Sequence, residues 1–226
     1  MSAVIPIHAD IEPVAKICKA TVGDTPTILT DIYREDTNIA VWRRQLSPAL
    51  TQFIEGFLNF NNDVQIAMTV TRENAFTSIK ESLGINNDEA TEFCQDITGL
   101  VSMFCDLFDT KHVGLRLRTL DRAMCPRFHV DRVPCRLVTT YSGVATQWLA
   151  DDSVDRSKLG RGNNGLPDDQ SGIYSDKNAI QQLHCGDVGL LKGEAWHDNE
   201  NCGLVHRSPQ VAANENRLLM TLDFID

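Results

Sequence analysis

The period of the hydrophobic pattern changes near Lys111, and this constrains the fold more than any composition figure. Upstream, "DEATEFCQDITGLVSMFCDLF" (Asp88 to Phe108) repeats apolar residues at helical spacing: Ala90, Phe93, Cys94, Ile97, Leu100, Val101, Phe104, Leu107 and Phe108. Downstream, "HVGLRLRTL" puts Val113, Leu115 and Leu117 on one face and Gly114, Arg116 and Arg118 on the other, the alternation of a half-buried strand. "RFHVD", "CRLVTTYSG", "TQWLA", "GDVGLLKG", "GLVHRSP" and "RLLMTLDF" continue as strand-like runs. Before the switch, "SPALTQFIEGFLNF" reads as a helix with Ser47 as N-cap and Pro48 at its first position. "EPVAKICKA" is a short amphipathic helix candidate, and "VQIAMTV" (Val64 to Val70) reads as a buried strand. The expectation is an α+β fold, with helices outside a β-sandwich or barrel. With no linker between the halves, residues 1–226 read as one domain: a mainly helical support over 1–110 and a β-rich core over 111–226. The polar, Gly- and Asp-rich stretch 151–178 reads as a solvated loop or a lid over a site.

Charge and cysteine usage narrow the function classes. A formal net charge of −10, from 21 basic and 31 acidic residues, disfavours nucleic acid or an anionic membrane as partner. Seven cysteines, an odd number without any Cys-x-x-Cys, argue against a disulfide framework or a zinc ribbon. "MSAVIPIHADIEP" has neither a basic start nor a long apolar run, and no stretch near 20 apolar residues occurs, so the cytoplasm is the expected location.

The chemistry centres on His129-Val130-Asp131. On a strand, residues i and i+2 share a face, so an imidazole and a carboxylate project side by side. That arrangement is costly in an apolar core and sensible around a cation. A lone His-x-Asp is near chance in a chain this rich in Asp, so a further ligand is needed. His206, in "GLVHRSP", supplies it. Two His and one carboxylate on one face of an octahedral ion leave three positions open, the facial triad of non-haem Fe(II) oxygenases. An electron-supplying 2-oxo diacid bound at such an iron needs a cation for its far carboxylate. Arg217, in "NRLLMTLDF", is placed to return beside the metal on a hairpin.

Together, His129-x-Asp131, His206 and Arg217 resemble the Fe(II)/2-oxoglutarate-dependent oxygenase superfamily, whose core is a double-stranded β-helix, or jelly roll, with flanking helices. "HVDRVPCRLVTTYSGVATQWL" is similar to its prolyl-4-hydroxylase-like branch, with Arg136, Thr139, Tyr141, Gly143 and Thr146 in the matching order. Over most of its length the chain also resembles an uncharacterised bacterial family whose genes often lie near those of zinc-handling GTPases. The resemblance implies Fe(II) on His129, Asp131 and His206, with Arg217 on the distal carboxylate of 2-oxoglutarate and Tyr141 donating to it. Where the superfamily usually has Ser or Thr two residues after the Arg, this chain has Leu219; Thr221, two further on, faces the same way and can substitute. The implied activity is hydroxylation of a small-molecule or peptidyl substrate, coupled to decarboxylation of 2-oxoglutarate. The alternative is a non-catalytic divalent-metal protein of zinc homeostasis, with zinc or nickel as possible occupants.

Simpler readings exist for each residue. His129 and Asp131 could be a surface pair, His206 a core histidine, and Arg217 the partner of Asp223. Arg136, at an odd offset from Asp131, would face away from it on a regular strand unless a bulge intervened. Trp148, Trp196 and Arg136 are candidate pocket walls, although Trp usually only packs. His184, Cys185, His197 and Cys202 form a rival zinc cluster that lacks familiar ligand spacing.

Overall fold

The computed structural model describes residues 17–61, 63–84, 89–213 and 215–225. In chain order the strands and α-helices are β1 (Lys19–Gly23), β2 (Thr37–Trp42), α1 (Pro48–Phe60), β3 (Gln65–Val70), α2 (Ala75–Leu83), α3 (Glu89–Phe108), β4 (Val113–Leu120), β5 (Cys135–Ser142), β6 (Gln147–Leu149), α4 (Asp168–Ser171), β7 (Ile180–Gln182), β8 (Val188–Lys192), β9 (Val205–Arg207) and β10 (Arg217–Phe224). A 3₁₀ helix, Pro26–Tyr33, joins β1 to β2.

Seven strands form a major sheet in the order β1-β2-β8-β5-β10-β4-β3, antiparallel except for the β1–β2 pair. Three short strands form a minor sheet, β7-β6-β9. The architecture is the expected α+β class. Strand alternation sorts the major sheet into two faces. Leu115 and Leu117 of β4, Leu137 and Tyr141 of β5 and Leu218, Met220 and Leu222 of β10 pack against the α3 stripe of Phe93, Ile97, Leu100, Val101 and Phe104. The other face carries Ile39 and Val41 of β2, Val138 of β5 and Leu191 of β8, which pack with Trp148 and Leu204 from the minor-sheet side. The minor sheet thus covers only part of this inner face, and the site lies at the limit of that cover.

The helix starting at Ser47 forms as expected: the Ser47 hydroxyl accepts from the Leu50 amide at 3.0 Å, and Pro48 opens the helix. The first half is less helical than its patterning suggests, because β1, β2 and β3 join the major sheet from both edges. "VQIAMTV" forms β3, but as an edge strand with Gln65, Ala67 and Thr69 exposed. Of "EPVAKICKA", residues 12–16 lie outside the described residues, and Lys19 and Ala20 begin β1 rather than a helix. Backbone pairing with β2 takes precedence there over a weak amphipathic pattern. Among the described residues, no helix is long and apolar enough to cross a membrane.

Candidate metal centre and oxyanion pocket

His129 lies outside any named strand. It forms a single antiparallel bridge with His206 of β9, in which each residue donates its amide to the other's carbonyl at 3.0 Å. Directly opposed residues in an antiparallel pair point to one face. The imidazoles therefore emerge side by side, their ring centroids 4.6 Å apart. Asp131 follows on the same side: its carboxylate lies 3.7 Å from His129 Nε2 and 3.6 Å from His206 Nε2. Its carbonyl accepts from the Glu194 amide at 2.9 Å, which ties the segment to the end of β8. Gly193 permits that approach, because a Cβ there would meet the Val133 carbonyl oxygen at 2.0 Å.

The orientation of both rings favours a cation. His129 Nδ1 lies 2.9 Å from the Arg127 carbonyl, and His206 Nδ1 lies 3.1 Å from the Leu204 carbonyl. A carbonyl can only accept, so each Nδ1 carries the proton and each Nε2 turns a lone pair toward Asp131. This is the support that metal-ligating histidines need. Burial pushes His206 down to about 4, against the upward pull of Asp131, so its imidazole is neutral at physiological pH. One ligand atom from each of His129, Asp131 and His206 lies within 4.8 Å of the others. An ion with bonds of about 2.1 Å can span that set with small side-chain adjustments.

Arg136 contributes differently from the expectation. It does not face away from Asp131. It projects from β5 onto the inner face, and its NH1 donates to Asp131 Oδ2 at 2.6 Å while its Nε donates to Asp223 Oδ1 at 2.6 Å. Residues 131–134 form an irregular bend before β5, so strand parity does not carry through. Asp223 Oδ2 in turn accepts from Arg116 at 2.5 Å. Asp223 is thus the partner of Arg116 and Arg136, not of Arg217.

Arg217, 1% exposed, is among the largest fully buried side chains. Its guanidinium donates to Ser208 Oγ at 2.9 Å, Thr146 Oγ1 at 2.8 Å and Thr140 Oγ1 at 3.3 Å. All three acceptors are neutral, and Nε has no partner. Burial alone pulls its pKa down to about 10. A buried cation with only hydroxyl partners is electrostatically incomplete. It lines one cavity with His129 and His206, and Thr221 lines the same cavity. Arg217 reaches this place not by a hairpin, as expected, but by a crossover from β9 in the minor sheet to β10, an interior strand of the major sheet.

Three other expectations are corrected. Tyr141 points to the opposite face of β5, where its hydroxyl donates to Asp96 Oδ2 at 2.6 Å and its ring meets Phe93 edge-on. Tyr141 and Arg136 are an odd number of positions apart on one strand, so they cannot share a face. Trp196 lies on the helix side against Tyr33 and Phe108. Trp148 packs between the sheets with Val138 and Leu191 and does not line the cavity. The rival cluster does not assemble: among the described residues, the group of metal-ligating side chains that converges is the His129, Asp131 and His206 set. His197 instead pairs with Asp198 at the surface.

Sequence reasoning did not single out Asp168 or Ser208 as part of this neighbourhood, and it named Asp223 only as a partner of Arg217. Asp168, at the start of α4, accepts from the Phe128 amide at 3.0 Å and from Arg207 at 2.8 Å, and so pins residues 151–178 between the two histidine segments. No period in the sequence points to it. Ser208 was legible, since it follows His206 by two in a strand-like run and therefore shares its face.

The family profile for "Protein of unknown function (DUF1826)" matches residues 23–223, a span that contains every residue of the site. The chain belongs to this family. No curated protein matches the DUF1826 chain. Among solved structures it is similar to AtDAO1, dioxygenase for auxin oxidation 1 from Arabidopsis thaliana, in its 2-oxoglutarate binary complex: TM-score 0.51 at 10% identity, covering 92% of this chain and 92% of that one. It is also similar to the dioxygenase for auxin oxidation of rice, with TM-score 0.50 at 10% identity, covering 92% of this chain and 83% of that one. At such identity the likeness shows the fold, the jelly-roll architecture of these dioxygenases, and not the reaction.

Proposed function

We propose that the chain is a non-haem Fe(II)- and 2-oxoglutarate-dependent dioxygenase that hydroxylates a small-molecule or peptidyl substrate. The observation that carries this reading is a cavity lined by both imidazoles of a two-His, one-carboxylate set and by a buried arginine that lacks an anionic partner. A mononuclear metal site alone would not require Arg217, and Arg217 alone would not require the triad.

His129, Asp131 and His206 would hold the metal, leaving the positions that face the cavity open. Both histidines are fixed in the Nδ1–H tautomer, and Arg136 holds Asp131 by one oxygen. Arg217 would take the distal carboxylate of 2-oxoglutarate, with its partnerless Nε as one donor. Thr221 stands on the same face of β10 and can add a hydroxyl donor, in the role proposed for it in place of Leu219. Fe(II) bound there would supply the redox chemistry that couples oxidative decarboxylation of 2-oxoglutarate to C–H hydroxylation, which no side chain can provide. The residues around it fix geometry and limit water.

The test is succinate formation from 2-oxoglutarate in air by the Fe(II)-loaded protein. The proposal expects turnover that disappears in Asp131→Ala and His206→Ala and is not supported by Zn(II). Tight zinc binding with no Fe(II)-dependent succinate would instead favour a metal-binding protein of the zinc-homeostasis kind.

A further inference from the structure

A second cavity adjoins the first. It is lined by Arg116, Arg118, Met124, Arg136, Leu219 and Thr221, and Met124, Arg136, Leu219 and Thr221 are common to both. It lies over β4, β10 and the start of β5, toward the edge of the major sheet, where Gln65 and Ala67 of β3, the ladder partners of Arg118 and Arg116, are exposed. A molecule seated there would reach the triad along a continuous wall.

The charge of that wall runs against the chain as a whole. Three guanidiniums, Arg116, Arg118 and Arg136, meet two carboxylates, Asp131 and Asp223. Both carboxylates are engaged by Arg116 and Arg136. Arg118 makes no ion pair among the described residues, and its Nε is buried without a hydrogen-bond partner. It is therefore the uncompensated cation of this face. Its planar fork suits a carboxylate or a phosphate. Leu219 and Met124 flank it with apolar surface, which suits a carbon skeleton between the anion and the reacting end.

We infer that Arg118, assisted by Arg116, binds an oxyanionic group of the substrate, a carboxylate or a phosphate, and so holds the rest of the molecule toward the triad. Only the word substrate rests on the oxygenase reading; anion binding at Arg118 stands on its own geometry. This oxyanion site is distinct from Arg217, which is buried two positions before Leu219 on β10 and lines the first cavity but not the second.

Met124 provides a reporter. The full-length protein, with ¹³C-methyl methionine, is titrated separately with inorganic phosphate and with propionate, against potassium chloride at equal ionic strength. The Met124 resonance is assigned with Met124→Leu. The inference expects a saturable Met124 shift with one of the two anions, which also tells phosphate from carboxylate. Affinity should fall about tenfold in Arg118→Gln, fall by less in Arg118→Lys, which keeps the charge but loses the planar fork, and be unchanged in Arg217→Gln. A shift no larger than that from chloride, one that survives Arg118→Gln, or one lost in Arg217→Gln overturns it. Succinate formation is a separate readout, so failure of the oxygenase reading and failure of this one are told apart.

Discussion

Replacing Arg217 with Met should make the protein more stable and less able to bind 2-oxoglutarate. The guanidinium is 1% exposed and faces three neutral hydroxyls, Ser208, Thr146 and Thr140. Desolvation pulls its pKa down to about 10, well below the ordinary arginine value. At about 1.4 kcal/mol per unit, the folded state carries a penalty near 3 kcal/mol for keeping this group charged at neutral pH. The sign follows from linkage: a base whose folded pKa is depressed costs stability fully below the folded value, and the cost fades only as pH rises from about 10 toward the ordinary arginine value. Methionine fills a similar slot without charge. The freed hydroxyls return part of the gain, which leaves a net stabilisation of about 1–3 kcal/mol. The same change removes the carboxylate's partner, and 2-oxoglutarate affinity should drop at least about a hundredfold. Urea denaturation of the metal-free protein measures the first effect, and of the anaerobic Fe(II)-loaded protein with and without 2-oxoglutarate the second. A variant less stable than the parent, or one still stabilised by 2-oxoglutarate, would refute the reasoning.

Tyr141→Phe should lower stability by about 1–2 kcal/mol through loss of the buried bond to Asp96, yet leave 2-oxoglutarate affinity unchanged; calorimetric titration checks this. Gly143→Ala should destabilise by about 2 kcal/mol or more, since Gly143 has φ +81° and a Cβ would lie 2.7 Å from the Asn216 carbonyl oxygen, next to Arg217; thermal melts read the loss. Stability of the metal-free protein should fall as pH drops from about 6.5 to 4. His206, depressed to about 4 by burial, stays neutral while the unfolded chain takes up a proton, and the loss is at most about 3 kcal/mol. His206→Leu should flatten that slope in urea titrations at stepped pH.

The sequence made the site legible where local parity or a pattern of residue types carried the information. His129 and Asp131 were read as sharing a face, and His206 as their companion, and the three converge, although through one bridged residue and a bend rather than a long strand. Arg217 was legible as a carboxylate partner because it lies on a strand shortly after His206, but its route through a crossover was not, because hairpin and crossover look alike in an irregular linker. Tyr141 was misplaced by matching motif order alone. Its parity relative to Arg136 already put the two on opposite faces, and the helix packed on the odd face decided which. Arg136 lines the cavity as expected, but its turn toward Asp131 was not legible, because strand parity does not hold through the bend at residues 131–134. The roles of Asp168 and Asp223 depend on partners far away in the chain, Arg207 and Phe128 for one and Arg116 and Arg136 for the other. No local period records such pairings.

The most direct measurement is an anaerobic visible titration of 2-oxoglutarate into the Fe(II)-loaded protein. The account predicts a weak metal-to-ligand charge-transfer band that saturates with one 2-oxoglutarate per chain. The band should vanish in His129→Ala and Asp131→Ala and weaken at least about a hundredfold in apparent affinity in Arg217→Met. A chain that binds Fe(II) and shows no band at any 2-oxoglutarate concentration would contradict it.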